Sequence, residues 1–367
     1  MKGIGYTAMT LGLLGMLFSP APLLAQAEEQ FRVEVLTVLS SRVEELPGLN
    51  RTSTIEELRV RIISGERAGE ILILENDYFQ SSVGDRFFVT ALETPSGEYL
   101  YSVGEPDRRL VLIIVSLIAV ASIVLLGGMK GVRALLALAG SIGVIILILV
   151  PALLSGASPI VVGIGIAVII LALVMGFAHG INKTTLAAFI GTAGAVVLAG
   201  VLASAAVYFG KFSGIVSDDA AFLNLATGGV LDLAGIFLAA IIIGMLGVLD
   251  DVAVSQAATV RELLAAGVSK QEALTRSLRV GREHVGALVN TLALAYAGAS
   301  LPLLLIFFQS TEALELILNR ELFAAEVIRT AVGTFGIVLA VPLTTLVAVW
   351  LLTGKEKGEG HTHACTH

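Results

Sequence analysis

The chain has 367 residues and a formal net charge of −7, and it is 56% hydrophobic and only 14% charged, with a mean hydropathy of +0.90. A soluble domain carries roughly 25% charged residues, so a wholly soluble globular protein is a poor fit. Between Glu28 and Arg109 acidic residues outnumber arginines and lysine is absent, which excludes nucleic acid as a natural partner of that segment.

Residues 1–27 read as a signal peptide. Lys2 gives a short basic start, Leu11 to Phe18 form the apolar stretch, Pro20 and Pro22 break it, and Ala25-Gln26-Ala27 supplies a small-x-small cleavage site. An uncleaved signal anchor is the alternative; either way the acidic segment that follows is exported. The only cysteine, Cys365, allows no intrachain disulfide.

Residues 28–108 read as a small extracytoplasmic β domain. Phe31 to Val38 alternates apolar and polar residues with period two, and Arg59–Ile63, Glu70–Leu74 and Arg86–Leu92 repeat the pattern. Ser64-Gly65, Asn76-Asp77, Gly84-Asp85 and Pro95-Ser96-Gly97 supply turns. About five short strands predict a closed or partly open barrel of OB or SH3 size. Glu44 to Thr54 reads as a long loop.

Residues 109–353 carry seven apolar spans, each near the length that crosses about 30 Å of hydrocarbon. They begin at about Leu110, Leu135, Pro159, Leu186, Leu231, Val285 and Val327. With the β domain outside, the inner connections hold Lys130, Arg133, Lys183, Arg261, Lys270, Arg276, Arg279, Arg282, Lys355 and Lys357. The outer connections beyond the β domain hold only Lys211, Arg320 and Arg329. This positive-inside bias agrees with the export signal. It places the protein in the plasma membrane (the cell inner membrane), multi-pass, with its C-terminus in the cytoplasm. The outer connection from Phe209 to Gly229 has the pattern of an interfacial helix. Residues 252–283 predict a cytoplasmic helical hairpin: the fifth helix continues to Ala266, Gly267 breaks it, and Ser269-Lys-Gln-Glu272 is a capping box. Pro151, Pro302 and Pro342 should kink or unwind their spans.

The segment Gly244 to Gln256 carries Asp250 and Asp251 within otherwise apolar sequence. A charge inside a bilayer is costly, so such acids point to function. Gly244, Gly247, Asp251, Ser255 and Thr259 share one helix face, small above and polar below, where another helix can approach closely. The alternative is that the span ends at Leu249 and both acids meet water. At the head of the sixth span His284 and Asn290 lie at the same inner level, where a carboxylate beside a histidine makes a proton relay; a hydrated helix entry is the plainer reading. His179 ends the third span at that level. Glu326 and Arg329, three apart, predict a local ion pair. In the tail, residues 354–367, His361, His363, Cys365 and His367 are metal-ligand types with nothing to fix their geometry. No cofactor is expected.

The run Gly244 to Gln256, the segment Arg279-Val-Gly-Arg-Glu-His284 with Leu288-Val-Asn290, and Ala297 to Pro302 resemble the YibE/F-like membrane protein family. Val327 to Gly333 and Ala340 to Thr345 fit as well. The resemblance covers nearly everything from the β domain to about residue 352. It implies an exported β domain followed by several helices, and little about activity.

Three functions compete. In a secondary transporter or permease, Asp251 binds a proton or cation as coupling ion, Asp250 shapes the inner vestibule, and Ser255, Gln256 and Asn290 add polar ligands. In a non-transporting scaffold or sensor, the β domain binds an envelope component. There the hairpin, through Gly267, Glu272, Arg276 and Arg279, docks a cytoplasmic partner. In an intramembrane enzyme, two acids must converge on one water, yet adjacent side chains on one helix diverge by about 100°; an enzyme is therefore not expected. The lipid bilayer is the expected environment, and a homo-oligomer is an open expectation.

Overall fold

The computed structural model describes residues 29–46, 51–93 and 99–353. The expected signal peptide, the turn at Pro95 to Gly97, and the tail with His361, His363, Cys365 and His367 lie outside the described residues. The chain divides after Ser122 into two compact units.

The first unit is built on an antiparallel sheet of five strands: β1 (Glu29–Leu46), β2 (Arg51–Ile62), β3 (Ile71–Asn76), β4 (Arg86–Glu93) and β5 (Tyr99–Pro106). Their order is β3-β2-β1-β4-β5. Period-two alternation sends Phe31, Val33 and Val35 of β1 inward against Leu58, Val60 and Ile62 of β2 and Phe87 and Val89 of β4. The edge strands β3 and β5 approach each other, so the sheet curls into a half-barrel, a partly open form of the expected architecture. The turn after β2 is pinned by Arg67, which holds Glu70 at 2.6 Å and lies 4.8 Å over the Tyr99 ring.

The expected loop from Glu44 to Thr54 is instead mostly strand. Val43 pairs with Thr54, Glu44 with Ser53 and Leu46 with Arg51, extending the β1–β2 hairpin beyond its core. Leu39 to Glu44 are exposed, so neither face is buried and no alternation marks the strand. Backbone pairing alone carries it.

A long helix, α1 (Arg109–Val144), starts in the first unit and continues into the second. It runs through a π-helical turn at Ile145–Leu149 into α2 (Val150–Leu154). Pro151 explains the π turn, because its ring removes an N–H and crowds the preceding carbonyl. The following helices are α3 (Pro159–His179), α4 (Lys183–Gly210), α5 (Asp218–Ala226), α6 (Leu233–Ala265), α7 (Lys270–Ala299), α8 (Leu301–Gln309), α9 (Leu314–Asn319) and α10 (Glu321–Leu352).

Five helical runs among the described residues are long and apolar enough to cross a membrane: Arg109–Leu154, Pro159–His179, Lys183–Gly210, Leu233–Ala265 and Glu321–Leu352. A sixth is added if α7 and α8, bent by 65° at Ser300, count as one span. Two of the seven expected spans thus fall in one 46-residue run. That run is not straight. Gly128 adopts φ 55°, ψ −138°, and a Cβ on Gly131 would strike the carbonyl of Ile123. On an unbroken helix those residues would stand ~12 Å apart, so the axis folds sharply at Gly128. Pro302 sits just after the α7–α8 break, whereas α10 continues through Pro342 as one helix.

In the second unit α6 is the central helix and packs on α3, α4, α7 and α10. Ile241, Ile242, Met245 and Leu249 are fully buried there. Lipid is as apolar as leucine, so close packing rather than hydrophobic expulsion holds such a bundle. A Cβ on Gly191 of α4 would run into Thr344 of α10, which shows how near those two backbones come. Outside the core, Glu321 at the start of α10 accepts hydrogen bonds from Ser213 Oγ (2.9 Å) and the Gly214 N–H (2.8 Å). The interfacial pattern of Phe209 to Gly229 contains α5, whose N-cap Ser217 accepts from the Ala220 N–H at 3.1 Å.

The hairpin forms as its punctuation predicts. α6 ends at Ala265, Gly267 takes φ 79°, and Ser269 caps α7 by accepting from the Glu272 N–H. Glu272 and Arg276 form an i,i+4 ion pair. Gly267, Glu272, Arg276 and Arg279 are all exposed.

Candidate functional site: a charged cavity beside α6

α6 presents two faces with opposite uses. Asp232 starts it by accepting from the Gly235 N–H at 2.9 Å. On the inward face, Leu249, Val252, Ala253, Gln256, Ala257 and Val260 are buried. On the outward face, Gly244, Gly247, Asp251 and Ser255 are exposed, and Asp250 is half-buried. Asp250 Oδ1 accepts the Asp251 backbone N–H at 3.0 Å.

The outward face lines a cavity of about 870 Å³, walled by the later part of α1, the π turn, the end of α3, and α6. Asp250, Asp251 and Gly247 come from α6, and His179 from the last residue of α3. Lys130 and Arg133 come from α1 just beyond the break at Gly128. Between these ends the wall is apolar apart from Ser141, with Leu138, Ile142, Ile170 and Leu246 among its members. Among the described residues no ion pair within 4 Å joins Lys130 or Arg133 to Asp250 or Asp251. Gly247 has open space where a Cβ would stand, and Gly244 has only the Tyr296 hydroxyl nearby. Of the small-residue stripe, Gly247 and Asp251 line the cavity, while Gly244 meets the Tyr296 hydroxyl of α7.

Of the residues singled out in the sequence, Asp250, Asp251 and His179 are brought together. Ser255 lies one turn further along the exposed face, where its hydroxyl donates to the Val252 carbonyl at 3.0 Å. Gln256 is directed the other way. It is 1% exposed, and its Nε2 donates to the Ser277 carbonyl of α7 (2.8 Å) and to Thr345 Oγ1 of α10 (2.7 Å). Thr345 Oγ1 in turn donates to the Val341 carbonyl at 2.7 Å. A Cβ on Gly281 would sit 2.9 Å from Gln256 Oε1, so α7 passes here only because that residue has no side chain. Gln256 thus ties three helices together. His284 and Asn290 are exposed on α7 and do not line the cavity; no hydrogen bond joins them to either acid among the described residues.

Lys130 and Arg133 enter as site residues only with the structure. In sequence they read as topology markers, although their position after Gly127-Gly128, at the level expected for His179 and the two acids, was a usable signal.

A second, smaller groove of about 410 Å³ runs between α7, α8 and α10 past Tyr296, Ser300 and Glu326. The expected Glu326–Arg329 pair is present at 2.7 Å. Arg329 also lies near the rings of Phe237 and Tyr296. Among the described residues no three His, Cys, Asp or Glu side chains gather as a metal donor set.

Comparison with curated proteins and with solved structures finds no match for this chain. A family model described as YibE/F-like protein matches residues 115–354, from within α1 to just past α10, and leaves the β sheet outside. The match takes in the whole helical bundle and every wall of the cavity, and the chain belongs to the YibE/F-like family.

Proposed function

We propose that this YibE/F-like protein is a secondary permease of the plasma membrane whose solute path includes the cavity beside α6. The observation that carries this reading is the convergence of Asp250, Asp251, His179, Lys130 and Arg133 on one cavity flanked by apolar helices. Ionisable groups at such a place mark ion and solute pathways, because a bundle without that use would replace them with apolar residues. Asp250 and Asp251 are the groups available to exchange a proton or cation as coupling ion. In this reading the chain spans the membrane seven times. The fold at Gly128 separates the first two spans, the β domain lies outside, and the hairpin and C-terminus lie in the cytoplasm. The basic residues of the inner connections support that orientation.

The test needs no known substrate. Replacing Cys365 by Ser leaves the chain without cysteine, and Gly247→Cys then places one thiol in open cavity space. A membrane-impermeant thiol reagent is applied to sealed vesicles of each orientation, with Glu262→Cys in the exposed hairpin as the side marker. A permease exposes residue 247 to both sides in turn, while residue 262 reacts from one side. Reaction of residue 247 from the hairpin side alone removes the permease reading and leaves a one-sided pocket, as a sensor or scaffold would have.

A further inference from the structure

The cavity is bipolar. Lys130 and Arg133 stand on the α1 wall, Asp250 and Asp251 stand on the α6 wall, and apolar side chains such as Leu138, Ile142 and Leu246 share the lining of this open cavity. Opposite charges that line one cavity attract, yet no ion pair within 4 Å joins the two walls among the described residues. The walls hold the charges apart. Lys130 and Arg133 are exposed, and both line the same space as the acids.

On the permease reading, we infer that this cavity takes a small zwitterion with an apolar body, an amino acid or dipeptide, held by its carboxylate on Lys130 and Arg133 and by its ammonium on Asp250 and Asp251. Arginine suits the first task because its planar fork meets a carboxylate with two parallel hydrogen bonds. A simple anion would satisfy the α1 wall and leave two carboxylates facing apolar surroundings without a counter-charge; a simple cation would do the reverse. A ligand carrying both charges neutralises both walls at once, and its side chain meets the apolar part of the lining. The volume, about 870 Å³, falls within the ordinary range for small-molecule sites and accommodates a dipeptide.

The experiment uses the full-length Gly247→Cys, Cys365→Ser protein in detergent and follows how ligands slow thiol labelling. The probes are leucine and leucyl-leucine, each compared with its N-acetyl form, which is only an anion, and its methyl ester, which is only a cation. The zwitterions should protect the thiol at concentrations about tenfold below those needed for either blocked form, the expected cost of losing one charge-assisted contact. Arg133→Gln should bring leucine to the level of its methyl ester. The paired change Asp250→Asn, Asp251→Asn should bring it to the level of N-acetyl-leucine. Unchanged labelling without ligand verifies that each variant is folded.

Equal protection by all three forms, or better protection by a singly charged form, overturns the inference. So does protection by none, and if residue 247 is then still reached from both faces of the membrane, the permease reading survives without a zwitterionic substrate. Zwitterion protection with residue 247 reached from one face only keeps the ligand site and removes the permease reading.

Discussion

Replacing Gln256 by leucine tests whether this residue serves the proposed solute path or the bundle. The substitution nearly conserves volume, so little cavity is created, and what disappears is a pair of donated hydrogen bonds, to Ser277 O at 2.8 Å and Thr345 Oγ1 at 2.7 Å. Interhelical hydrogen bonds in membrane proteins contribute about 0.6 kcal/mol each, rising to about 1.7, and buried ones in soluble proteins about 1 kcal/mol. Two of them give an expected loss of about 1–2 kcal/mol. The assay is reversible unfolding in mixed micelles, arranged as a cycle with Thr345→Val and the double variant. The cycle isolates the Gln256–Thr345 bond, for which a coupling of about 0.5–1 kcal/mol is expected. Additivity within about 0.3 kcal/mol would refute the lock. A second refutation is independent of stability: on the permease reading, if Gln256→Leu unfolds like the parent protein but loses two-sided labelling at residue 247, the glutamine belongs to the proposed solute path.

Three further outcomes are expected. Gly281→Ala forces a methyl into Val341 and to 2.9 Å from Gln256 Oε1; overpacking of this kind costs about 1–3 kcal/mol, and the same unfolding assay should show it, while Gly247→Ala, which meets open space, should stay within about 0.5 kcal/mol. Gly267→Ala places a side chain at φ 79°, a strain of about 1–2 kcal/mol, and limited proteolysis should then cut the α6–α7 turn faster than in the parent. In the β domain, the Arg109 guanidinium lowers the Asp107 carboxyl from 3.8 to about 2. A carboxyl depressed on folding adds stability while ionised, so its contribution is whole above about pH 4 and is lost as the pH falls towards 2. Hydrogen-exchange protection of β4 and β5 should drop across that window, and Asp107→Asn should remove the pH dependence from that step.

The parts legible in sequence are those whose determinants are local. The α6–α7 turn is written in Gly267 and Ser269, one supplying positive φ and the other a cap within three residues. The Glu326–Arg329 pair needs only one helical turn. The alternation of Phe31 to Val35 announces a half-buried strand because its inner face is buried. The β1–β2 extension escaped for the converse reason, since both its faces are open. Gln256 escaped because its partner Thr345 is 89 residues distant. A polar residue on an apolar helix has the same appearance in sequence whether it faces a path or a third helix. Lys130 and Arg133 join the cavity lining only once the chain folds at Gly128, where a pair of glycines in an apolar run is a weak signal on its own.

The two faces of α6 depend on each other. A helix that leaves carboxylates exposed to a cavity with no ion pair to them gains by turning them away, by rotating or by sliding along its neighbours. α6 is denied both movements by its other face. Leu249, Val252, Ala253 and Ala257 are packed to full burial, and Gln256 is bonded simultaneously to α7 and α10. With α6 fixed in rotation, Asp250 and Asp251 are held towards the α1 wall. The cost of that arrangement is borne by the packing behind it rather than relieved by an ion pair across it. On the proposed zwitterion reading, this is the condition under which the ligand gains most from binding, because its site is preorganised and its charges are unspent. It also orders the expected effects of substitution along a single heptad: changes at Asp250 and Asp251 should alter what the cavity holds with little loss of stability, whereas changes at Val252, Ala253 and Gln256 should loosen the helix and reach the cavity only through it.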